Sequence, residues 1–199
     1  MRVIAGALRG RALQAPPGLR VRPTSDALRE TLFNVCGPRV AGSVWVDCCA
    51  GSGAVGIEAL SRGAAAAFFI EPARAARTAL QANLRRLGLD EAPILARPAP
   101  AVLAALAEDA RWSARGCDFF FLDPPYGDAS LYAAVLGRLG GADCGLLAAE
   151  AWVIVEHARR ADCGARHGRL ERFRLLEQGD SSLSFYRLAG GAIGAAGLP

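Results

Sequence analysis

The feature that most constrains the fold of this chain is a regular alternation of two hydrophobic patterns between residues 44 and 157. Short apolar runs typical of buried strands alternate with longer segments whose apolar residues recur every three or four positions, as in amphipathic helices. Such alternation predicts a mostly parallel sheet with helices on both faces. The predicted strands cover residues 44–47, 67–71, 93–96, 118–122 and 152–157, and the predicted helices cover residues 54–62, 73–87, 99–110 and 131–139.

The carboxyl-terminal part of the chain has a different pattern. Residues 169–177 and 182–188 flank the turn at 178–181, which predicts an antiparallel hairpin at the edge of the sheet. Residues 189–199 are mostly Gly and Ala and have no pattern that could pack, so we expect them to be disordered. The predicted fold class is therefore α/β, with a mostly parallel sheet and an antiparallel carboxyl-terminal hairpin.

The amino-terminal residues precede this alternation. Residues 2–14 alternate around a central turn and predict a small hairpin outside the core. Thr24 or Ser25 can cap a helix over residues 26–36, whose pattern leaves Arg29 available to solvent. We therefore expect an appendage made of a hairpin and a helix.

The length and composition of the chain fit one main domain. With 199 residues and 52% hydrophobic composition, the chain can bury one substantial core. We expect the appendage over residues 1–38, the main catalytic domain over residues 39–188 and the tail over residues 189–199. The six cysteines show neither CxxC pairs nor a His at ligand spacing, which predicts reduced thiols and no metal site. Neither a signal peptide nor a membrane span is predicted, so the expected location is the cytoplasm.

Positive charge is concentrated near the amino terminus. The formal net charge of the chain is +4, which by itself says little about partners. The first 25 residues, however, contain five arginines and no acidic residue. Such a cluster is typical of a surface that binds an anionic partner, although a merely solvated face is the alternative. The five are Arg2, Arg9, Arg11, Arg20 and Arg22.

A chemically specific motif follows the predicted strand at residues 118–122. It reads Asp123-Pro124-Pro125-Tyr126 and places an acid, two rigid prolines and an aromatic ring at the carboxyl end of a buried strand. Prolines fix φ and remove backbone donors, so a carboxylate and a bare carbonyl can both act as acceptors while Tyr126 offers a face for stacking. Such a site suits a planar amino group, either the exocyclic amine of a nucleobase or an amide.

The loop after the first predicted strand is rich in small residues. Ala50, Gly51, Ser52 and Gly53 would allow backbone amides to approach a ligand closely. Together with Gly56, the two glycines also satisfy the GxGxxG fingerprint of dinucleotide-binding folds. Glu71 ends the second predicted strand, where an acid can accept hydrogen bonds from ribose hydroxyls in either nucleotide fold. The loop therefore leaves NAD and S-adenosylmethionine as candidate ligands, with a tight turn that binds nothing as the alternative.

Two features favour S-adenosylmethionine. Asp47 precedes the glycines, where its carboxylate can bind the ammonium of a methionine moiety but would repel a pyrophosphate. The motif at Asp123 lies at the end of another strand, and in a doubly wound sheet both strand ends open into one crevice.

These residues resemble the class I methyltransferases that modify exocyclic amino groups, and more specifically the RsmD family of bacterial 16S rRNA guanine-N2 methyltransferases. The resemblance covers nearly the whole chain apart from the tail, and its amino-terminal blocks are more specific than the glycine loop. The blocks that carry it are residues 2–6, 9–11, 22–34 and 50–63, together with the two motifs described above.

The resemblance implies a Rossmann-like, seven-stranded methyltransferase fold that binds S-adenosylmethionine in its crevice. It also implies a guanine of 16S rRNA as the target, presented on a 30S subunit or an assembly intermediate, with Asp123, Pro124 and Tyr126 around the amine. We expect the cofactor to contact Asp47, Ala50, Gly51, Ser52, Gly53, Glu71 and Pro72. We expect RNA phosphates to contact Arg9, Arg11, Arg20, Arg22 and Arg29, because phosphate contacts position a nucleic acid without reading its bases.

The chain departs from the methyltransferase pattern after the third predicted strand. Many methyltransferases carry Asp or Asn there to bind the adenine amine, whereas this chain has Ala96-Arg97-Pro98-Ala99, so apolar contacts or backbone must hold the adenine. Other interpretations remain open at this stage. They are an amino methyltransferase acting on DNA adenine, other RNA or protein glutamine, an NAD-dependent reductase, and a non-catalytic RNA-binding module. We expect a monomer, because a crevice of this kind needs no second subunit.

Overall fold

The computed structural model describes residues 1–16, 25–124 and 128–190, which form one sheet with helices on both faces. The strands are β1 Val44–Cys48, β2 Ala66–Ile70, β3 Ile94–Leu95, β4 Cys117–Leu122, β5 Leu147–Ala158, β6 Arg166–His167, β7 Leu170–Gln178 and β8 Ser181–Leu188. The helices are α1 Asp26–Cys36, α2 Ala54–Ser61, α3 Arg74–Leu87, α4 Ala99–Ala107, α5 Ala110–Ser113 and α6 Ala129–Leu139, and a 3₁₀ turn covers Gly37–Val40.

The sheet has the order β3-β2-β1-β4-β5-β8-β7-β6. Its first five members run parallel, whereas β8, β7 and β6 are joined to β5 and to one another by antiparallel pairing. The predicted fold class is therefore confirmed. The implied count of seven strands is wrong by one, because the two-residue strand β6 pairs with the start of β7.

Some element boundaries differ from the predictions. The predicted helix over residues 99–110 is instead two helices, α4 and the short α5. Strand β5 begins at Leu147, earlier than predicted, and pairs with β4 through an irregularity between Cys117 and Phe119. The predicted disorder of the tail concerns residues that, from 191 onward, lie outside the described ranges. No helix in the described ranges is long and apolar enough to cross a membrane.

The core has two layers because successive strand residues point to opposite faces of the sheet. Phe119 and Phe121 of β4 pack in one cluster with side chains of α1, α2 and α3. Phe120 and Leu122 pack in the other cluster, with side chains of α4 and α6. The apolar run in β4 is thus buried on both sides, as expected for a central parallel strand.

Residues 1–16, which we call the arm, pack against the first of these layers. Arg2 and Ala12 form an antiparallel bridge, so the predicted hairpin is present in minimal form. Val3 and Leu13 are only 1% and 6% exposed and belong to the same hydrophobic cluster as α1 and α2. The expectation that this hairpin lies outside the core is therefore wrong.

Helix α1 has the predicted boundaries. The Ser25 hydroxyl accepts a hydrogen bond from the Leu28 amide at 3.1 Å, and Gly37 ends the helix with a φ of +53°. The expectation that Arg29 faces solvent is wrong, since its side chain is 0% exposed. The arm covers this side of the helix, and Arg29 Nη2 donates to the Arg2 carbonyl at 2.5 Å and to Asp26 Oδ1 at 3.1 Å.

A buried carboxylate of α2 holds the arm in place. Glu58 is fully buried and accepts hydrogen bonds from the amides of Ile4 and Ala5 at 2.7 and 2.9 Å. Its charge is balanced by Arg62 Nε at 2.7 Å and by Arg29 Nε, which lies 3.7 Å from Glu58 Oε2. Because these contacts satisfy buried polar groups, the arm is part of the folded core and not a loosely attached segment.

Candidate functional site

The two predicted motifs meet at the centre of the sheet. Strands β1 and β4 are hydrogen-bonded neighbours, and Cys48 lies opposite Leu122 at their carboxyl ends. The Asp123 amide points to the Cys48 carbonyl at 3.4 Å, so the loops that follow the two strands leave the same edge side by side. The order of strands reverses here, because β2 and β3 lie on one side of β1 and β4 lies on the other. Such a switch point is where open α/β sheets bind ligands.

The three glycines of the loop serve different purposes. Gly51 and Gly53 have φ values of +56° and +82°, which favour glycine. A Cβ on Gly53 would lie 2.3 Å from Leu80 Cδ1, and one on Gly56 would lie 2.4 Å from Phe69 Cε1, so both are required for packing. A Cβ on Gly51 would meet nothing within 4 Å, because this residue faces open space. The loop thus leaves open space on the Cα side of Gly51, while its amide is bound within the protein by Glu71.

The arm and α3 both help to hold the glycine loop in place. Asn83 of α3 is fully buried and donates to the Ser52 carbonyl at 2.9 Å. The same amide group accepts from the Gln14 amide at 2.8 Å and donates to the Gln14 carbonyl at 3.0 Å. The Ser52 hydroxyl also lies 3.8 Å from the sulfur of Met1. The loop conformation therefore depends on the arm as well as on the sheet.

Glu71 directly follows β2 and lies against the glycine loop. Its Oε2 accepts from the Gly51 amide and its Oε1 accepts from the Ala73 amide, both at 2.8 Å. The residue is 7% exposed, and the adjacent Pro72 is exposed. A carboxylate has about four acceptor positions, so two positions remain for hydroxyl donors such as those of a ribose.

Asp47 is the most deeply buried acid of the crevice. It is 2% exposed, and its Oδ2 accepts from the Gly56 amide at 2.9 Å, which fixes the start of α2. The pKa of Asp47 is raised to about 7, mainly by burial; the hydrogen bond from Gly56 opposes the shift and the charge of Glu71 adds to it. A cation beside Asp47 would favour its charged form, so this environment suits the ammonium group that we expect there.

Cys49 is a feature that sequence reasoning missed. It is the one non-glycine residue of the described ranges with a positive φ, +65°, and it lies half-buried between the two motifs. The pKa of its thiol is raised to about 12, mainly by burial and in addition by the charges of Glu71, Asp123, Asp47 and Asp128. The charges of these acids therefore make the field around the thiol negative. Such a field suits a positively charged ligand.

Asp128 was also missed by sequence reasoning. Its Oδ1 accepts from the Leu131 amide at 3.0 Å and thereby caps α6, and its charge contributes to the raised pKa of the Cys49 thiol. The pattern of an acid just before an apolar run could have revealed the cap, but nothing local indicates its electrostatic effect on Cys49.

The structure places the other predicted site residues as follows. Pro124 is buried and Asp123 is partly exposed at the edge, whereas Pro125 and Tyr126 lie outside the described residues. Arg9 and Arg11 are exposed on the arm, Arg20 and Arg22 lie outside the described residues, and Arg29 is buried. The prediction that Arg29 contacts RNA is wrong, because no part of its side chain reaches the surface.

The segment in which the sequence departs from the methyltransferase pattern lies at the surface. Residues 96–98 follow β3 and are exposed, and Pro98 precedes α4 without a side-chain cap. Within residues 1–16, 25–124 and 128–190, no group of three or more His, Cys, Asp or Glu side chains could hold a metal ion.

Comparisons with known proteins agree with this geometry. A sequence model of the protein family described as "Conserved hypothetical protein 95" matches residues 1–187. "Putative rRNA methyltransferase YlbH" of Bacillus subtilis (strain 168) is 34% identical over 191 residues, which cover 96% of this chain and 100% of that protein. "Ribosomal RNA small subunit methyltransferase D" of Escherichia coli (strain K12) is 39% identical over 156 residues, which cover 78% of this chain and 74% of that protein. The solved structure of "Putative methyltransferase yhhF from Escherichia coli" is 35% identical, with a TM-score of 0.77, and the match covers 95% of this chain and 98% of that one.

Proposed function

The chain belongs to the family described as Conserved hypothetical protein 95, which is the RsmD family that its motifs resemble, and on this premise we propose its reaction. We propose that it transfers a methyl group from S-adenosylmethionine to the exocyclic N2 amine of a guanine in 16S rRNA. Its relatives are named as methyltransferases of ribosomal RNA, so an NAD-dependent reductase and a non-catalytic RNA-binding module are set aside. The choice of guanine and of its N2 amine is part of the proposal.

One observation carries the proposal. The loop after β1 and the acid after β4 lie side by side at the switch point, and the charges of Asp47, Glu71 and Asp123 all act on the Cys49 thiol between them. A cofactor site and an amine site on neighbouring strand ends allow direct transfer between two bound molecules. Proximity and orientation of this kind can supply about 7–11 kcal/mol of a reaction barrier.

The residues of the crevice fit the cofactor. S-adenosylmethionine supplies an electrophilic methyl group on a positively charged sulfur. We assign its ammonium to Asp47, its ribose hydroxyls to the free acceptor positions of Glu71, and its remaining polar groups to the backbone of residues 50–53. Pro72 lies next to Glu71 at the exposed rim of the site. The negative field around Cys49 complements the positive charge of the sulfonium.

Asp123 and Pro124 would activate the target amine. The lone pair of guanine N2 is delocalised into the ring, so the amine becomes nucleophilic only when acceptors hold its two hydrogens out of the ring plane. We assign this role to the Asp123 carboxylate and the Pro124 carbonyl, which also stabilise the positive charge that develops on the nitrogen. As the new N–C bond forms, the bond to sulfur breaks with its electron pair, and Asp123 accepts the proton released by the nitrogen.

The target base must leave its helix to reach this edge. We assign stacking on the extruded base to Tyr126, a contact worth about 1–3 kcal/mol. We assign phosphate contacts to Arg9, Arg11, Arg20 and Arg22 of the amino-terminal part, residues 1–38, and the chemistry to residues 39–188. The proposal further includes a substrate presented on a 30S subunit or an assembly intermediate, a monomeric enzyme and a cytoplasmic location.

The experiment that tests the proposal follows labelled methyl groups. The purified protein and labelled S-adenosylmethionine are incubated in separate reactions with 30S particles, naked 16S rRNA, DNA and a protein extract. The nucleosides of any labelled RNA are then identified by mass spectrometry. We expect N2-methylguanosine in 16S rRNA. Label in adenine of DNA, in another RNA or in protein glutamine would contradict the proposal and identify a different amino methyltransferase.

Substitution of Asp123 tests the assigned chemistry. We expect Asp123→Ala to abolish turnover while calorimetry shows unchanged cofactor binding, and Asp123→Asn to retain partial geometry but lose rate. Asp143→Asn, an exposed site beyond the far end of α6, is the matched control and should retain full turnover. Turnover retained in Asp123→Ala would remove Asp123 from the mechanism.

A further inference from the structure

The arm and α3 together carry positive charge without any acid. Residues 1–16 contain three arginines and residues 74–88 contain four, and neither segment contains Asp or Glu. In most surface helices of soluble proteins charges of both signs are mixed, so this segregation sets α3 apart. The seven arginines are Arg2, Arg9, Arg11, Arg74, Arg77, Arg85 and Arg86.

The two segments form one continuous surface. Arg86 of α3 donates from Nη2 to the Ala12 carbonyl of the arm. Asn83, also of α3, binds the backbone of Gln14 in the arm through two hydrogen bonds of 2.8 and 3.0 Å. The exposed arginines of the arm therefore continue onto α3 without a gap in the packing.

The outer side of α3 presents a long polar stripe. Arg74, Thr78, Gln81 and Arg85 are all exposed and follow one another at helical spacing, whereas the buried side consists of Ala76, Ala79, Leu80, Asn83 and Leu84. Because an α-helix rises 1.5 Å per residue, the stripe extends over about 16 Å. The stripe begins at Arg74, three residues after Glu71 at the edge where we propose the cofactor binds, and it runs away from that edge.

The charge of this stripe is not neutralised by ion pairs. Arginines on the other side of the molecule have acidic partners, as in the pairs Arg159–Glu177 and Arg172–Asp162. No acid of the described residues lies within ion-pair distance of Arg74 or Arg85. Asp90 and Glu91 line a groove of about 640 Å³ with Arg85 and mark the end of the positive surface.

We infer that the exposed stripe of α3 binds the phosphate backbone of the RNA substrate and so extends the RNA-binding surface of the arm. The inference rests on the proposed function, and it adds Arg74 and Arg85 to the residues that position the RNA. Unpaired guanidinium groups on a rigid helix suit phosphates, which Arg binds in a bidentate manner. Gln81 adds a neutral donor along the same line, whereas the Thr78 hydroxyl donates to the Arg74 carbonyl of the helix itself at 3.0 Å.

The experiment compares two double variants of equal charge. Arg74→Gln/Arg85→Gln removes the two ends of the stripe, and Arg138→Gln/Arg169→Gln removes two exposed arginines at the far end of α6 and the start of β7. Binding of a labelled 16S rRNA transcript is measured over a series of salt concentrations, together with the KM for RNA and the Kd for S-adenosylmethionine. Both pairs are exposed, so the free energy of unfolding should not change.

We expect the α3 variant to lose two phosphate contacts. The slope of log affinity against log salt should flatten by about 1.4, because each contact to single-stranded RNA contributes about 0.7. The KM for RNA should rise, while kcat and the cofactor Kd stay unchanged. The control variant should change the slope by much less.

The outcomes separate the inference from the proposed function. If the unmodified protein methylates 16S rRNA but the α3 variant keeps the full slope and KM, the inference fails alone. An equal loss in both variants would also overturn it, because net charge and not this surface would then be responsible. If the unmodified protein neither binds nor methylates RNA, the proposed function fails and the inference falls with it.

Discussion

Replacement of Glu58 by Gln should strongly destabilise the fold although the two side chains have almost the same shape. The Glu58 carboxylate is fully buried and accepts hydrogen bonds from the amides of Ile4 and Ala5. It also faces Arg62 Nε at 2.7 Å and Arg29 Nε at 3.7 Å. A Gln side chain would keep one oxygen acceptor, but its NH₂ group would face the backbone amide donors of the arm, and it would carry no charge to balance the arginines.

The size of the effect follows from what remains buried. Arg29 is 0% exposed, and without Glu58 its one remaining acidic contact among the described residues is Asp26, whose side chain is 47% exposed. Breaking a buried ion pair by removal of one partner costs about 3–5 kcal/mol, because the other charge stays desolvated. The surviving contact to Asp26 places the expected loss at the lower end, about 3 kcal/mol.

Urea unfolding followed by tryptophan fluorescence measures this loss, and a double-mutant cycle tests its cause. Variants Glu58→Gln, Arg29→Met and the combination are compared with the unmodified protein. If the unpaired guanidinium is responsible, addition of Arg29→Met to Glu58→Gln should restore part of the stability, because both charges are then gone. A loss below about 1 kcal/mol for Glu58→Gln, or no recovery in the double variant, would refute this reasoning.

Two further predictions concern the arm and the crevice. An alanine in the left-handed conformation costs about 1–2 kcal/mol. Gly6→Ala should lower the free energy of unfolding by more than this amount, because its Cβ would also lie 1.8 Å from the Ser61 carbonyl oxygen. Gly10→Ala has the same φ of +81° and meets nothing within 4 Å, so it should show the conformational cost alone, and equal urea midpoints for the two variants would contradict the packing. The pKa of Asp47 is about 7 in the folded protein, above its ordinary value, so its contribution to stability is complete at low pH and is lost as the pH rises through 7. The free energy of unfolding should therefore fall between about pH 4 and pH 7 by up to about 1.4 kcal/mol per pH unit and level off above that range, and this part of the pH dependence should be absent in Asp47→Asn.

The parts of the fold that the sequence predicted are those with local determinants. Helix α1 begins at the residue after Ser25 and ends at Gly37, since a hydroxyl cap and a left-handed glycine each act within one turn. The central strand β4 contains an uninterrupted apolar run at residues 119–122 that lies between Asp118 and Asp123, so both the strand and the motif that follows it could be recognised in the sequence. Glu71 was predicted for the same reason, because it directly follows β2.

The parts that the sequence did not predict depend on distant contacts. The helical pattern places Arg29 on the polar side of α1, but the arm and Glu58 close over that side. Strand β6 has two residues, too few to show any alternation, and exists through its pairing with β7. The left-handed backbone of Cys49 likewise occurs where the carboxyl ends of β1 and β4 lie side by side.

The tight packing beneath Gly53 and Gly56 makes the interior of the protein responsible for the shape of the loop that we propose binds the cofactor. The methyl group of Leu80 and the ring of Phe69 occupy the volume that any side chain at these glycines would need. Hydrocarbon atoms that never touch a ligand thus define where the amides of the crevice lie. Replacement of Leu80 or Phe69 by a larger or smaller side chain should therefore change the affinity for the cofactor as well as the melting temperature of the protein.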